Sequence, residues 1–400
     1  MESLRKNKSL FIDKEALYAL LLCKEGLLYP VLDLMDEDEM NKVDKTGLYK
    51  NQSFPFSFIL APSGKQNKII LESLRENEEI NLVCEGKICG ELTTKSVFKI
   101  NKQERLFKIM GGDIYSKKAK EIMQRLGEYA ICGEYKLFLQ EGLDFKDRPK
   151  QDIIQKRKEL LQAKNVTSIT IDASPITRVH EKIFHSILED LDLLVIFLAR
   201  KREEKLLDYK IRLECLSYIV ENFLPKERIL IFPFEDIYLF ENSNGVILDA
   251  IFAQNLGCDR IVIGENHPHL ALYYDHQKLH SIFDMFKEVK INIKMCNEFA
   301  YCKECGGIIS TKVCPHGKHK HISYNSGFIQ SILESALIPP SILVRKEISA
   351  KILSYLYPNR FKNTLRKYES ILPNNGIVEE YSEEEIYLKL IELQQEISLN

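Results

Sequence analysis

Three groups of residues have types and spacings that suit chemistry. The first is Cys302-x2-Cys305-x8-Cys314, followed by His316, His319 and His321. Two cysteines separated by two residues form a chelating knuckle, and a third cysteine with one nearby histidine completes a tetrahedral shell for zinc. The spacing favours His319 as the fourth ligand, with His316, close to Cys314, as the alternative. Four protein ligands leave no open coordination position, so such a site is structural; free thiols are the competing reading. The second group is Ser174-Pro175-Ile176-Thr177-Arg178-Val179-His180-Glu181. It sets an arginine and a histidine at a helix start, where free backbone N–H groups favour an anion such as a phosphate. The plainer alternative is a histidine capping a helix beside a surface arginine. The third group, Gly264-Glu265-Asn266-His267-Pro268-His269, puts two histidines in a Gly/Pro turn, or is simply a polar turn.

The elements that must position these groups read clearly between residues 151 and 300. A charged helix over 151–164 precedes an apolar strand over 166–171. Helices over 180–188, 205–224, 245–256 and 277–286 then alternate with strands over 193–199, 228–232, 260–264 and 291–295. Strands that are apolar throughout, alternating with helices, predict a parallel sheet covered on both faces. Such sheets bind ligands at the carboxyl ends of their strands, here the loops 172–180, 233–245 and 264–274.

Residues 1–150 differ: short apolar stretches alternate with Gly and Pro turns, which predicts a barrel-like β domain with a helix or two. The charged stretch 146–150 reads as a linker. In the tail, Ser382-x-x-Glu385 is a capping-box pattern, followed by Ile386, Leu390, Leu393 and Ile397 on one helical face. That helix packs on its own chain or on another subunit. A chain of 400 residues suits two or three domains, and 45% hydrophobic with 28% charged residues is a soluble globular balance. With 56 basic against 58 acidic residues, no global field draws in nucleic acid or anionic lipid. No stretch approaches the ~20 apolar residues of a membrane span, and the charged N-terminus leads into none of signal-peptide length. Together with scattered reduced cysteines this points to the cytoplasm.

Taken in order, these motifs resemble the ATP sulfurylase (sulfate adenylyltransferase) family over roughly residues 15–355. Gly26-Leu-Leu-Tyr-Pro30-Val-Leu-Asp-Leu-Met35 is similar to Gly-x-Phe-x-Pro-Leu-x-Gly-Phe-Met, and 54–60 stands where Trp-x-x-Pro-Ile-x-Leu is expected. Residues 174–181 resemble Asn-Pro-x-His-Arg-Ala-His-Glu. Residues 257–267, with Tyr273-Tyr274, resemble Gly-Cys-Thr-His-x-Ile-Val-Gly-Arg-Asp-His and its later Tyr-Tyr. Tyr301-Cys302-x-x-Cys305, Cys314-Pro315-His316, Ser326-Gly327, Pro339-Pro340 and Arg345-x-Glu347 match the family's zinc-bearing segment and the stretch beyond it.

The resemblance implies an α/β fold. A PUA-like β domain (1–150) would precede a Rossmann-like nucleotidyltransferase domain (151–300). A small zinc-bearing subdomain (301–358) and a charged helical tail (359–400) would come after these. It implies attack of a sulfate oxygen on the α-phosphorus of MgATP, with pyrophosphate leaving and no enzyme nucleophile. Thr177, Arg178 and His180 would then be catalytic, and Ser174, His180, Gly264, Asn266 and His267 would hold the nucleotide. Zinc would be structural; ATP with magnesium and a small acceptor would be the partners, with self-association left open.

The departures from the family fall on the chemistry. Ile171 and Ala173 replace the sulfate-binding Gln and Arg, and Thr177 replaces the first of the paired histidines. Glu265 and Asn266 replace an Arg and an Asp, Glu241-Asn242-Ser243 replaces Ala-Gly-Pro, and Phe328 replaces a Thr. A charge-assisted hydrogen bond is worth ~1.5–3 kcal/mol, so losing the Arg and Gln contacts costs roughly 2–4 kcal/mol of sulfate binding. Three functions remain open on this reading: sulfate adenylylation by a rebuilt site, adenylylation of another acceptor, and nucleotide binding or scaffolding without catalysis.

Overall fold

A computed structural model of the chain describes residues 8–112, 114–143, 145–189, 193–200, 207–235, 237–240, 242–263, 289–296, 298–322, 326–363, 366–367 and 381–397. The chain opens with β1 (Lys8–Phe11), α1 (Lys14–Lys24), α2 (Glu37–Thr46), the pair β2 (Leu48–Tyr49) and β3 (Gln52–Ser53), and β4 (Leu60–Pro62). It continues with α3 (Lys65–Glu72), β5 (Glu79–Cys84), β6 (Lys87–Lys99), α4 (Lys102–Met110), α5 (Lys117–Arg125), β7 (Leu126–Leu137) and α6 (Gln151–Leu160). Strands and helices then alternate: β8 (Val166–Ile171), α7 (Arg178–Glu189), β9 (Leu193–Arg200), α8 (Tyr209–Phe223), β10 (Ile229–Glu235), α9 (Asn242–Asn255), β11 (Arg260–Ile263) and β12 (Asn292–Met295). Last come β13 (Phe299–Cys302), β14 (Gly307–Ser310), β15 (His321–Ile322), α10 (Ser326–Glu334), α11 (Lys346–Leu356) and α12 (Glu383–Ile397).

Two compact units form from interleaved stretches, residues 1–170 with 232–295 and residues 171–231 with 296–400. In the first, β1 and β4 to β7 build a mixed five-stranded sheet in the order β1-β5-β6-β7-β4, and β2 and β3 pair separately. Only β1 and β5 of its described pairs run parallel. Five helices accompany the strands, more than the helix or two expected. N-caps explain four of them: Asp13, Asn101 and Ser116 accept first-turn N–H groups, and Asp36 forms a full capping box with Glu39, whereas α3 starts at Gly64 without a side-chain cap.

The alternating strands form a second sheet in the order β10-β9-β8-β11-β12. The pairs β8–β11 and β11–β12 are parallel, with Ile261 opposite Ser168 on one side and Ile293 on the other. All six residues of β8 are buried, including Thr167, Ser168 and Thr170, as are Leu193 to Ala199 of β9. Burial on both faces is what a helix-covered parallel sheet requires. Order reverses at β8, so the loop leaving its carboxyl end lies at a switch point where such sheets bind ligands. Helix α8 starts later than expected because Asp208 caps it through Lys210 N. The helix expected over 277–286 lies outside the described residues.

In the second unit, Ser382 and Glu385 make the expected capping box, with Ser382 Oγ accepting from Glu385 N at 3.3 Å. Helix α12 packs on α11 of its own chain, through Lys346–Glu392 (2.6 Å) and Lys351–Glu384 (2.8 Å). The buried face is not the one the spacing suggested. Tyr387 and Ile391 are buried, whereas Leu390 and Leu393 are exposed, because the i,i+4 pair that meets α11 is rotated by one position. Among the described residues, no helix is long and apolar enough to cross a membrane.

Candidate active site and metal centre

The loop between β8 and α7 carries the residues singled out from sequence, and its conformation is fixed from within. Ala173 has φ of +50°, a left-handed backbone that suits glycine better than alanine, and it is buried at 2% exposure. Ser174 is also buried; its hydroxyl donates to Gln330 Oε1 at 2.8 Å and accepts from Leu207 N at 2.9 Å. That oxygen is therefore spent inside the protein. Ser174 shapes the loop, and its hydroxyl is not presented to a ligand in this conformation.

Thr177 and His180 close the first turn of α7. Thr177 N donates to His180 Nδ1 at 3.1 Å, and the Thr177 hydroxyl lies 2.9 Å from the same nitrogen. The imidazole thus caps its own helix, as the plainer reading of this motif held. Since Nδ1 accepts, the proton sits on Nε2. Burial pulls the His180 pKa down from its ordinary 6.5 to about 4, so the ring is a neutral N–H donor at pH 7. It does not bring a positive charge to the site.

Charge comes from the same turn. Arg178 N is tied to Leu343 O at 2.9 Å, and its guanidinium donates to Glu181 Oε2 at 3.1 Å. Arg345 holds the same buried carboxylate through Nε and Nη2 at 2.8–2.9 Å. Two guanidiniums against one carboxylate leave a net single positive charge beside the first turn of α7. The side chain of Arg178 is one-third exposed, the more accessible of the two.

The structure brings Ser174, Thr177, Arg178 and His180 into one short segment. Gly264, Asn266 and His267, with Glu265 and His269, follow β11 directly and lie outside the described residues. Sequence reasoning missed Gln330 and Arg212. Arg212 had a legible signal: it interrupts the apolar stripe Ile211, Cys215, Leu216, Ile219 on α8.

Cys302, Cys305, Cys314 and His316 converge, with their ligand atoms all within 4.8 Å of one another. His316 Nδ1 stands 3.4, 3.3 and 3.6 Å from the sulfurs of Cys302, Cys305 and Cys314, and Cys305 and Cys314 are 3.9 Å apart. A tetrahedron with Zn–S near ~2.3 Å and Zn–N near ~2.0 Å has edges of roughly 3.5–3.8 Å, so these four fit zinc. The preference for His319 is corrected to His316. His319 lies in the turn Lys318–Lys320 with its ring folded toward Gly317, where a Cβ would stand 2.9 Å from it. The turn at Gly306 (φ +65°) lets its N–H reach Cys302 O at 2.9 Å and closes the first knuckle between β13 and β14.

An α/β chain with a parallel sheet, a loop leading into a helix at a switch point and a Cys3His cluster matches a family model. Residues 145–355 match ATP-sulfurylase, and the chain belongs to that family. It is similar to the sulfate adenylyltransferase of Carboxydothermus hydrogenoformans, 25% identical over 363 residues, covering 86% of this chain and 91% of the relative. The Microcystis aeruginosa sulfate adenylyltransferase is 23% identical, covering 86% and 88%. Among solved structures, a hexameric APS kinase from Thiobacillus denitrificans shares the fold with a TM-score of 0.67 at 16% identity. That likeness covers 89% of this chain, which spans 64% of the kinase chain.

Proposed function

We propose that this protein transfers the adenylyl group of MgATP to sulfate, forming adenylyl sulfate and pyrophosphate. A sulfate oxygen forms a bond to the α-phosphorus while the bond from that phosphorus to the β-bridging oxygen breaks in line, and pyrophosphate departs with the electron pair. The chain's own contribution is positioning and charge stabilisation. The observation that carries this reading is the Thr177–His180 pair at the start of α7. It presents a neutral Nε2–H donor at the helix start beside the cationic Arg178. Arg178 steadies the polyphosphate, and Gly264, Asn266 and His267 complete the nucleotide side. Sulfate-dependent release of pyrophosphate from MgATP tests the reading; release that does not depend on sulfate would refute it.

Adenylylation of a different small acceptor is the second reading, and one observation favours it. Ile171 and Ala173 are buried and apolar, so the first part of the loop offers no side-chain donor to an oxyanion. Pyrophosphate release provoked by a hydroxyl-bearing or cationic acceptor, with sulfate inert, would select it.

Zinc at Cys302, Cys305, Cys314 and His316 is structural in this reading: with no open position it braces the β13–β14–β15 sheet and supplies no reaction step. Residues 1–150 are the PUA-like domain, 151–300 the Rossmann-like catalytic domain and 301–358 the zinc subdomain, and the protein works in the cytoplasm.

A further inference from the structure

Arg212 lies on α8 at 1% exposure and is among the most deeply buried large side chains of the protein. Its Nη1 donates to Asp172 O at 2.7 Å and to Ala199 O at 2.8 Å, and its Nε donates to Leu207 O at 2.7 Å. One guanidinium thus joins the chain leaving β8, the end of β9 and the entry to α8. Leu207 is held from its other side, since its N–H donates to Ser174 Oγ. The Nη2 group of Arg212 is buried and has no hydrogen-bond partner among the described residues.

The loop after β8 therefore has two independently anchored halves. Residues 177–181 are fixed by Arg178 N to Leu343 O and by Glu181 to Arg345. Residues 172–174 are fixed by Arg212 and by Ser174. Phosphates belong with the helix-start half. In-line transfer requires the acceptor to approach the α-phosphorus opposite the departing pyrophosphate, so an acceptor that meets this loop meets its other half.

We infer that Arg212 is a positioning residue for the acceptor: through Asp172, Ala199 and Leu207 it sets residues 172–174, the half of the loop the acceptor meets. This rests on the adenylyl-transfer reading above. Arg212→Lys keeps the charge but loses the planar fork that spans three carbonyls. Ser174→Ala cuts the same link at Leu207 without touching a buried charge.

Full-length wild type, both single variants and the double variant would be compared by kinetics and by amide hydrogen exchange. In each single variant KM for sulfate is expected to rise about tenfold while KM for ATP stays within about twofold. The double variant should add little, because both changes break one network. Exchange should quicken over 172–177 and at Leu207 and stay unchanged over 181–188. Equal rises in both KM values, or lowered stability with unchanged KM values, would overturn the inference. Should the wild type form no adenylyl sulfate, the functional reading fails and the acceptor role falls with it, whereas unchanged exchange over 172–177 in an active wild type overturns the positioning role alone.

Discussion

Arg345 grips both carboxylate oxygens of Glu181 at 2.8–2.9 Å while its guanidinium carbon lies 3.3 Å from the centre of the Phe223 ring. Glu181 follows His180 directly, so this clamp fixes the turn that carries the catalytic candidates. Replacing Arg345 with Met would leave the buried carboxylate to Arg178 alone. Breaking a fully buried pair costs ~3–5 kcal/mol; with Arg178 still in place, we expect about 2 kcal/mol from urea unfolding. Arg345→Lys should recover only part, since an ammonium cannot make the forked contact. Unchanged stability in Arg345→Met would show that the clamp does not hold α7.

His180 makes stability depend on pH in a defined direction. Its pKa is about 4 in the fold and near 6.5 when unfolded, so the unfolded chain binds the proton first. The contribution is fully present above pH 6.5 and is lost as pH falls toward 4. It amounts to roughly 3 kcal/mol at most, from 1.36 kcal/mol per unit. Denaturant unfolding at pH 7 and pH 4.5 should show a steeper loss for wild type than for His180→Gln. Parallel losses would mean that the imidazole is not buried neutral.

The metal centre separates its two candidate histidines. Cys314→Ser and His316→Ala should each reduce bound zinc well below one equivalent and lower the melting temperature, whereas His319→Ala should retain both. Zinc retained in His316→Ala and lost in His319→Ala would reverse the assignment.

Ala173 sits where glycine is preferred. Ala173→Gly should relieve about 1 kcal/mol of left-handed strain, a gain partly offset by the entropy of the freer unfolded chain. The net change should fall between neutral and stabilising. Marked destabilisation, measured by urea unfolding, would mean that the methyl group matters more than the backbone. An arginine at 173 is a different matter, because the position is closed to solvent and the loop would have to shift to accept it.

Sequence patterns carried the parallel sheet well. The stretch 193–199 is apolar throughout, and the capping residues of α12 lie three residues apart in the chain, so both signals are local. The helices of the first unit were harder, because their apolar faces are short and their signal lies in single capping residues such as Asp36 and Ser116. The choice of His316 over His319 turns on which way a ring points beside Gly317, which spacing does not encode. Arg212 was visible only as a charge in an apolar stripe; the carbonyls it joins come from three separate stretches of chain. The loss of the Gln and Arg at 171 and 173 was legible, and what their replacements do, packing inward, needed the fold.

The central claim is adenylyl transfer to sulfate through the loop that ends in His180. Incubation with MgATP, radiolabelled sulfate and pyrophosphatase, followed by separation of the products, tests it most directly. The account predicts labelled adenylyl sulfate that accumulates with time in wild type and falls by at least about tenfold in His180→Ala. Unlabelled nucleotide alone, or label incorporated equally well by His180→Ala, would contradict it.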